Sequence, residues 1–291
     1  MYNVGFGDVA RLRGTVASLK IGESPLVPGV SPVQLYYREA GAGYPLVFLH
    51  GGWGYEIYPF DRQITKLDNE LRILIPDRSG YGRSSRIESL PVDFHSRAAV
   101  ETIRFLDALQ IDRAVLWGHS DGAVIAARIG LMAPDRVSAL ILEAFHFLRR
   151  KPGSREFFEQ MAVDPNGFGE RVTGTLSQDH GEDYWKTIIV LDGIAWLGLA
   201  DEAESETHDL FDGKLSSLDV STLFIHGSRD PRTEPGELDA IKRELPGARF
   251  EIIEDGGHSP HSASSTADTC TKAARKFLNS ILQPKSSAIL S

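Results

Sequence analysis

Cysteine is almost absent from this chain. Its 291 residues hold one, Cys270, so no intrachain disulfide and no cysteine-based metal cluster can form. Long apolar runs are missing too: nothing approaches the roughly 18 consecutive residues of a membrane span. The first 22 residues lack the basic-then-apolar layout of a secretory signal, and a cytoplasmic location is expected. Nor is there a basic excess. Lys and Arg number 31 against 40 Asp and Glu, a formal charge of −9, which leaves no electrostatic footprint for nucleic acid or an anionic membrane. The expected partner is a small molecule, neutral or cationic. No cofactor motif, internal repeat or low-complexity linker is present, and nothing sets an oligomeric state.

With 42% hydrophobic and 24% charged residues, the composition is globular. Short apolar runs alternate with amphipathic segments. Strands are expected over 33–39, covered on one face only, and over 45–49, 71–76, 114–117, 137–142, 222–225 and 250–253. Helices are expected over 94–109, 121–132, 237–245 and 267–282. Strands separated by helices imply an α/β protein with a mostly parallel sheet covered on both faces. The interval 146–216 breaks the rhythm. It holds helical patches at 155–161 and 183–191 and no convincing strand, and an unstructured loop of that length is improbable. It reads as an inserted helical cap, with residues 1–145 and 217–291 forming the core domain. Residues 284–291 have no pattern that would hold them.

The sequence VLWGHSDGAVIAA, residues 115–127, turns from a β-branched run to small helical residues at Gly118-His119-Ser120-Asp121-Gly122. A nucleophilic serine on a sharp strand-to-helix turn brings neighbouring backbone close, which explains glycine two positions before and after. The helix that follows points its first N–H groups at the reacting centre. A base and an acid should follow in the order Ser, acid, His. Asp230 and His258 each lie just past a predicted strand, where open parallel sheets build their sites. His258 would take the Ser120 proton, and Asp230 would fix the imidazole tautomer. His261 competes as base, and Glu254 and Asp255 as acid. The oxyanion hole needs two backbone donors: Asp121, and Gly52 or its neighbour Trp53 in the loop His50-Gly51-Gly52-Trp53-Gly54. His50 reads as a brace for that loop and His119 as packing beside the turn. The spacing of His258 and His261 would suit a metal, but no third ligand accompanies them, so no metal is expected.

These motifs, with DRSGYGRS at 77–84, HGSRDP at 226–231 and GGH at 256–258, resemble the α/β-hydrolase superfamily with a serine nucleophile, from about residue 33 to 282. The resemblance implies the α/β-hydrolase fold and an acyl-enzyme mechanism without cofactor. Serine at position 120 separates the chain from haloalkane dehalogenases and epoxide hydrolases of this fold, which place aspartate there. HGGWG and GHSDG also depart from the proline iminopeptidase pattern. The elbow Ser120-Asp121-Gly122 and the stretch DYWKTIIVLDGI, 183–194, are similar to the valacyclovir-hydrolase-like, or biphenyl-hydrolase-like, group, whose members hydrolyse esters of small alcohols, including α-amino-acid esters.

In that group the position of Asp121 is associated with recognition of an α-amino group, and the acidic run 201–212 would add to a field favouring cations. Asp121 also suits a plain helix start, where a carboxylate meets the N-terminal dipole. Trp53, Tyr81, Trp185 and Trp196 are candidates to line a substrate pocket. The expected function is hydrolysis of a small carboxylic ester. Carbon–carbon or enol-lactone hydrolysis on the same triad, and a non-catalytic ligand receptor of this fold, are the alternatives.

Overall fold

The computed structural model describes residues 15–282. Eight strands form one sheet in the order β1-β2-β4-β3-β5-β6-β7-β8. β1 (Thr15–Ile21) pairs antiparallel with β2 (Val33–Ala40), and β2 pairs antiparallel with β4 (Leu71–Pro76). From there the sheet is parallel through β3 (Tyr44–Leu49), β5 (Ala114–His119), β6 (Val137–Glu143), β7 (Thr222–Gly227) and β8 (Arg249–Ile253). The central strands are continuous apolar runs because both faces are covered. Leu46, Phe48, Val115 and Trp117 point to one face, with α1 (Asp61–Leu67) and α8 (Ala267–Leu282). Val47, Leu49, Ala114 and Leu116 point to the other, with α2 (Phe94–Ala108) and α3 (Asp121–Met132). This is the α/β-hydrolase architecture expected from the motifs.

β2 departs from the expectation of one-sided cover. Leu35 and Tyr37 join the α2 side of the core, while Tyr36 is buried from the other side, with the Arg83 guanidinium 5.1 Å from its ring. β1 was not anticipated, and residues 284–291 lie outside the described part of the chain.

Between β6 and β7 no residue joins the sheet. Three helices occupy this insert: α4 (Arg155–Val163), α5 (Glu170–His180) and α6 (Trp185–Asp201). A buried ion pair fastens its beginning to α7 (Glu237–Glu244). Lys151 Nζ lies 2.6 Å from a Glu237 carboxylate that also accepts the N–H groups of Phe147, Leu148 and Glu234. Four donors on one buried carboxylate satisfy its charge where water cannot.

Candidate active site

At the β5–α3 junction Ser120 has φ 56° and ψ −121°, a left-handed conformation that costs on the order of 1–3 kcal/mol for a non-glycine residue. Two contacts enforce it. A Cβ on Gly118 would lie 2.1 Å from the Gly122 carbonyl oxygen, and one on Gly122 would lie 2.0 Å from that of Leu49. Only glycine permits both approaches. The Ser120 N–H donates to the Glu143 carbonyl at 2.9 Å, which ties the turn to the end of β6.

The three residues read as a triad come together here. His258 Nε2 lies 3.1 Å from Ser120 Oγ, and His258 Nδ1 lies 3.0 Å from each oxygen of Asp230. Burial lifts the Asp230 carboxyl, but the facing His258, its hydrogen bond and the Arg232 N–H outweigh that, so its pKa falls far below the ordinary carboxylate range. Burial lowers the His258 pKa; Asp230 opposes this, and the Arg232 charge adds to it. The imidazole is therefore neutral near pH 7. Because Nδ1–H donates to Asp230, Nε2 carries the lone pair that accepts the serine proton.

A second imidazole touches Ser120. His146 Nε2 lies 3.2 Å from Ser120 Oγ. The ring is buried, stacked on His258 at 5.6 Å and packed edge-on against Trp196 at 5.1 Å. Ala144, at φ 50°, turns the chain just past β6 so that His146 reaches the serine. One hydroxyl proton cannot serve two imidazole lone pairs. With His258 accepting it, His146 must present Nε2–H to the oxygen. Burial, then the charges of Lys151 and His258, push the His146 pKa well down, which keeps it a neutral donor.

The loop 50–54 faces the serine from the end of β3. His50 Nδ1–H donates to the Gly51 carbonyl at 2.8 Å, while Nε2 accepts the Arg78 N–H at 3.2 Å. Arg78 adds a hydrogen bond to the His50 carbonyl and spreads over the Tyr81 ring at 4.1 Å. From the insert, His180 accepts the Gly82 N–H on Nδ1 at 2.8 Å, which leaves Nε2–H to donate to the Trp53 carbonyl at 3.1 Å. The loop is thus held at both ends. None of the amide N–H groups of Gly52, Trp53 and Asp121 has a hydrogen bond within the described residues.

A small cavity of about 20 Å³ meets Ser120, lined by Gly52, Trp53, His146, Asp192, Arg232 and His258 among others. Asp121 borders it, but its carboxylate is taken: Oδ1 accepts from His95 and Trp196 at 3.1 Å each, and Oδ2 lies 3.5 Å from Arg78. With this set of partners, a substrate ammonium group would meet a carboxylate already bound on both oxygens. Asp192 of α6 stands beside it, so close to Gly52 that a Cβ there would lie 2.2 Å from its Oδ2. Its Oδ1 has no partner among the described residues. Burial and the Asp121 charge raise the Asp192 pKa well above the ordinary value, so of the two carboxyls it is the one that holds a proton more readily. Trp53 and Trp196 border the cavity. Tyr81 and Trp185 do not. Tyr81 lies flat under Arg78 behind the loop, and Trp185 packs into the core at the start of α6.

The competing residues lie elsewhere. His261 stacks on Phe60 at 4.0 Å and is bound by Glu143 and the Tyr58 carbonyl, away from Ser120. His119 contacts the His258 carbonyl and Ser259. Asp255 pairs with Arg229, and Glu254 is exposed. Among the described residues no group of three His, Cys, Asp or Glu could hold a metal ion, and no helix is long and apolar enough to cross a membrane.

Residues 46–270 match the family model described as the alpha/beta hydrolase family. The chain belongs to that family. Human serine hydrolase BPHL is 25% identical over 277 residues, 94% of this chain and 90% of that protein, which supports the resemblance to the biphenyl-hydrolase-like group. Epoxide hydrolase A of Mycobacterium tuberculosis is 39% identical over 289 residues, 78% of this chain and 88% of that one. Among solved structures, a thermophilic esterase from Thermogutta terrifontis aligns with TM-score 0.69 at 22% identity, covering 92% of this chain and 100% of that chain. This alpha/beta hydrolase is therefore a hydrolytic enzyme.

Three residues of the hydrolase site escaped the sequence reading: His146, Asp192 and Arg232. Each had a signal. His146 follows a parallel strand beside the elbow, where catalytic groups collect. Asp192 is a carboxylate on the apolar face of α6, in line with Ile188 and Trp196. Arg232 lies two residues past Asp230, the candidate acid.

Proposed function

We propose that this hydrolase cleaves small carboxylic esters through an acyl-enzyme on Ser120. The observation that carries the reading is the unbroken chain from Ser120 Oγ to His258 Nε2 at 3.1 Å and from His258 Nδ1 to Asp230 at 3.0 Å. His258 takes the hydroxyl proton as Oγ attacks the carbonyl carbon, and Asp230 stabilises the imidazolium so formed. Amide N–H groups of Asp121 and of Gly52 or Trp53 receive the oxyanion; removing one such donor typically costs about a hundredfold or more. His258 then protonates the leaving oxygen. The same imidazole activates a water that releases the acid. His146 donates Nε2–H to Oγ throughout, and the insert acts as a cap that limits water and selects substrate.

The narrower reading, an α-amino-acid ester, rests on Asp121. A substrate ammonium group would have to replace its 3.5 Å contact with Arg78, the longest of the three, so the general esterase reading has the better support.

The test is steady-state hydrolysis of p-nitrophenyl acetate and butyrate, and of α-aminoacyl esters beside their des-amino analogues, by wild type and Ser120→Ala. The expected result is turnover that falls at least about a thousandfold in the variant, with an acyl mass on the Ser120 peptide after acid quench. Turnover that survives in Ser120→Ala overturns the mechanism, and a preference for aminoacyl members restores the narrower reading.

A further inference from the structure

The net charge of −9 gives the wrong sign for the ground next to the serine. Arg232 lines the cavity at Ser120 and also a wider one of about 290 Å³, built mainly by Trp53, Ile57, Phe157, Phe168 and Val172. It therefore stands where the two meet. Its own N–H donates to Asp230 Oδ1 at 2.9 Å, which fixes its backbone against the triad. The guanidinium carbon lies 3.5 Å from the centre of the Phe157 ring and 6.0 Å from that of Trp53.

Stacking on Phe157, with Trp53 at the edge of cation–π range, holds the group in place while leaving its planar edge of N–H donors unused. Among the described residues no carboxylate lies within ion-pair distance of Arg232, whereas Arg149, Arg150 and Arg155 of the insert each have one. The neighbouring acids do not compensate. Asp121 is taken by His95, Trp196 and Arg78, and burial with the Asp121 charge raises the Asp192 pKa against the opposing charges of Arg78 and Arg232, with no Asp192 oxygen within ion-pair distance of Arg232. The other charges on the wide cavity, Glu170 and Arg171, are exposed and opposite in sign.

We propose that Arg232 binds a carboxylate on the substrate, so that the ester cleaved at Ser120 carries an anionic group held at the junction of the two cavities. This rests on the ester-hydrolase reading. The wide apolar cavity takes carbon chain, and the guanidinium takes the charge through paired N–H···O bonds. Such charge-assisted contacts are worth about ten- to a hundredfold in affinity. The carboxylate can sit on the acyl or on the alcohol side of the ester.

The test compares kcat/KM for two matched pairs. Mono-(4-nitrophenyl) glutarate against 4-nitrophenyl pentanoate places the charge on the acyl side; 4-acetoxybenzoate against phenyl acetate places it on the alcohol side. Wild type should favour the anion of one pair by about tenfold or more, chiefly through KM, and the pair that responds identifies the side. In Arg232→Gln the anion-to-neutral ratio should fall toward one, and Arg232→Lys should keep part of it. Taking the ratio on one enzyme cancels any effect of Arg232 on His258. A binding arm is independent of turnover: glutarate and benzoate titrated calorimetrically into Ser120→Ala, then into Ser120→Ala with Arg232→Gln. Binding lost with Arg232 supports the proposal even if no ester is turned over, in which case the ester reading alone fails. Ratios equal in wild type and Arg232→Gln for both pairs, or binding of glutarate and of benzoate both untouched by the substitution, overturn it.

Discussion

Two imidazoles lie almost equally far from Ser120 Oγ, His258 at 3.1 Å and His146 at 3.2 Å, so distance alone does not identify the base. The partner behind each ring does. His258 has the Asp230 carboxylate on Nδ1, and among the described residues no carboxylate forms an ion pair with the His146 ring. On the proposed mechanism, removing His258 takes away both the base and the acid of acyl transfer, a loss of about 10⁴-fold or more in kcat. Removing His146 takes away one neutral N–H···O contact at the long end of the usual range. Its net worth is about 0.5–1.5 kcal/mol, or roughly two- to tenfold in rate. The assay is kcat/KM for p-nitrophenyl acetate across pH, for His146→Ala, His146→Gln and His258→Ala. His146→Gln, which can offer a side-chain N–H, should lie between wild type and His146→Ala. The acidic limb of the profile should stay assigned to His258. Equal losses in His146→Ala and His258→Ala would refute this division of labour, because they would make the two rings a single proton-transfer unit.

Lys151→Met leaves the buried Glu237 carboxylate without its cation. It should destabilise the protein by about 3–5 kcal/mol in urea unfolding, and a midpoint matching wild type would contradict the burial of the pair. Gly122→Ala drives a Cβ into the Leu49 and His50 carbonyls and should cost about 3 kcal/mol or more. Gly174→Ala, in α5 with nothing within 4 Å, should instead stabilise by roughly 0.5–1 kcal/mol; equal thermal shifts for the two variants would remove the steric account of the elbow. Burial, then the Glu56 charge, push the Asp179 pKa up to about 6. A carboxyl raised on folding adds stability that is full below its unfolded pKa and lost as pH rises through the folded value. Asp179→Asn should therefore flatten part of the decline in stability between about pH 4 and 6. An unchanged slope would show that this carboxyl does not titrate there. Asp77, also pushed up to about 6, and Asp192, raised by burial and the Asp121 charge, contribute to the same decline.

What could be read from sequence follows how local each signal is. The central strands announced themselves because burial on both faces demands unbroken apolar runs, as in Leu71–Pro76 and Val137–Glu143. β1 did not, since TVASLKI is an edge strand with one fully buried residue, Ile21. α5 was equally silent: ERVTGTLSQDH buries only Leu176 and His180, too little for an apolar stripe. The nucleophile turn was legible because its constraints, Gly118 against Gly122 and Gly122 against Leu49, come from the elbow and the adjoining strand end. Tyr81 misled for the opposite reason. An aromatic in a glycine-rich loop reads as an exposed contact, yet the cation it lies beneath, Arg78, is anchored to His50 from another strand.

The residues that set the electrostatics of the site became visible only through the insert. Trp196 and Asp192 descend from α6 on successive turns of one face. The indole N–H binds Asp121, and the carboxyl comes to rest beside Gly52. In isolation Asp121 is a carboxylate at a helix start and Asp192 an acid in a helix, and neither predicts the other. Brought together away from water they cannot both stay ionised. His95, Trp196 and Arg78 decide which does, since all three donate to Asp121 and none to Asp192. The consequence reaches substrate choice. The inner cavity holds a partnered anion in Asp121 and, in Asp192, a carboxyl that burial and Asp121 push toward its neutral form, so among the described residues the charge without an ion-pair partner at the serine belongs to Arg232, the opposite sign to the one that the acidic composition and the Ser120-Asp121 pair suggest.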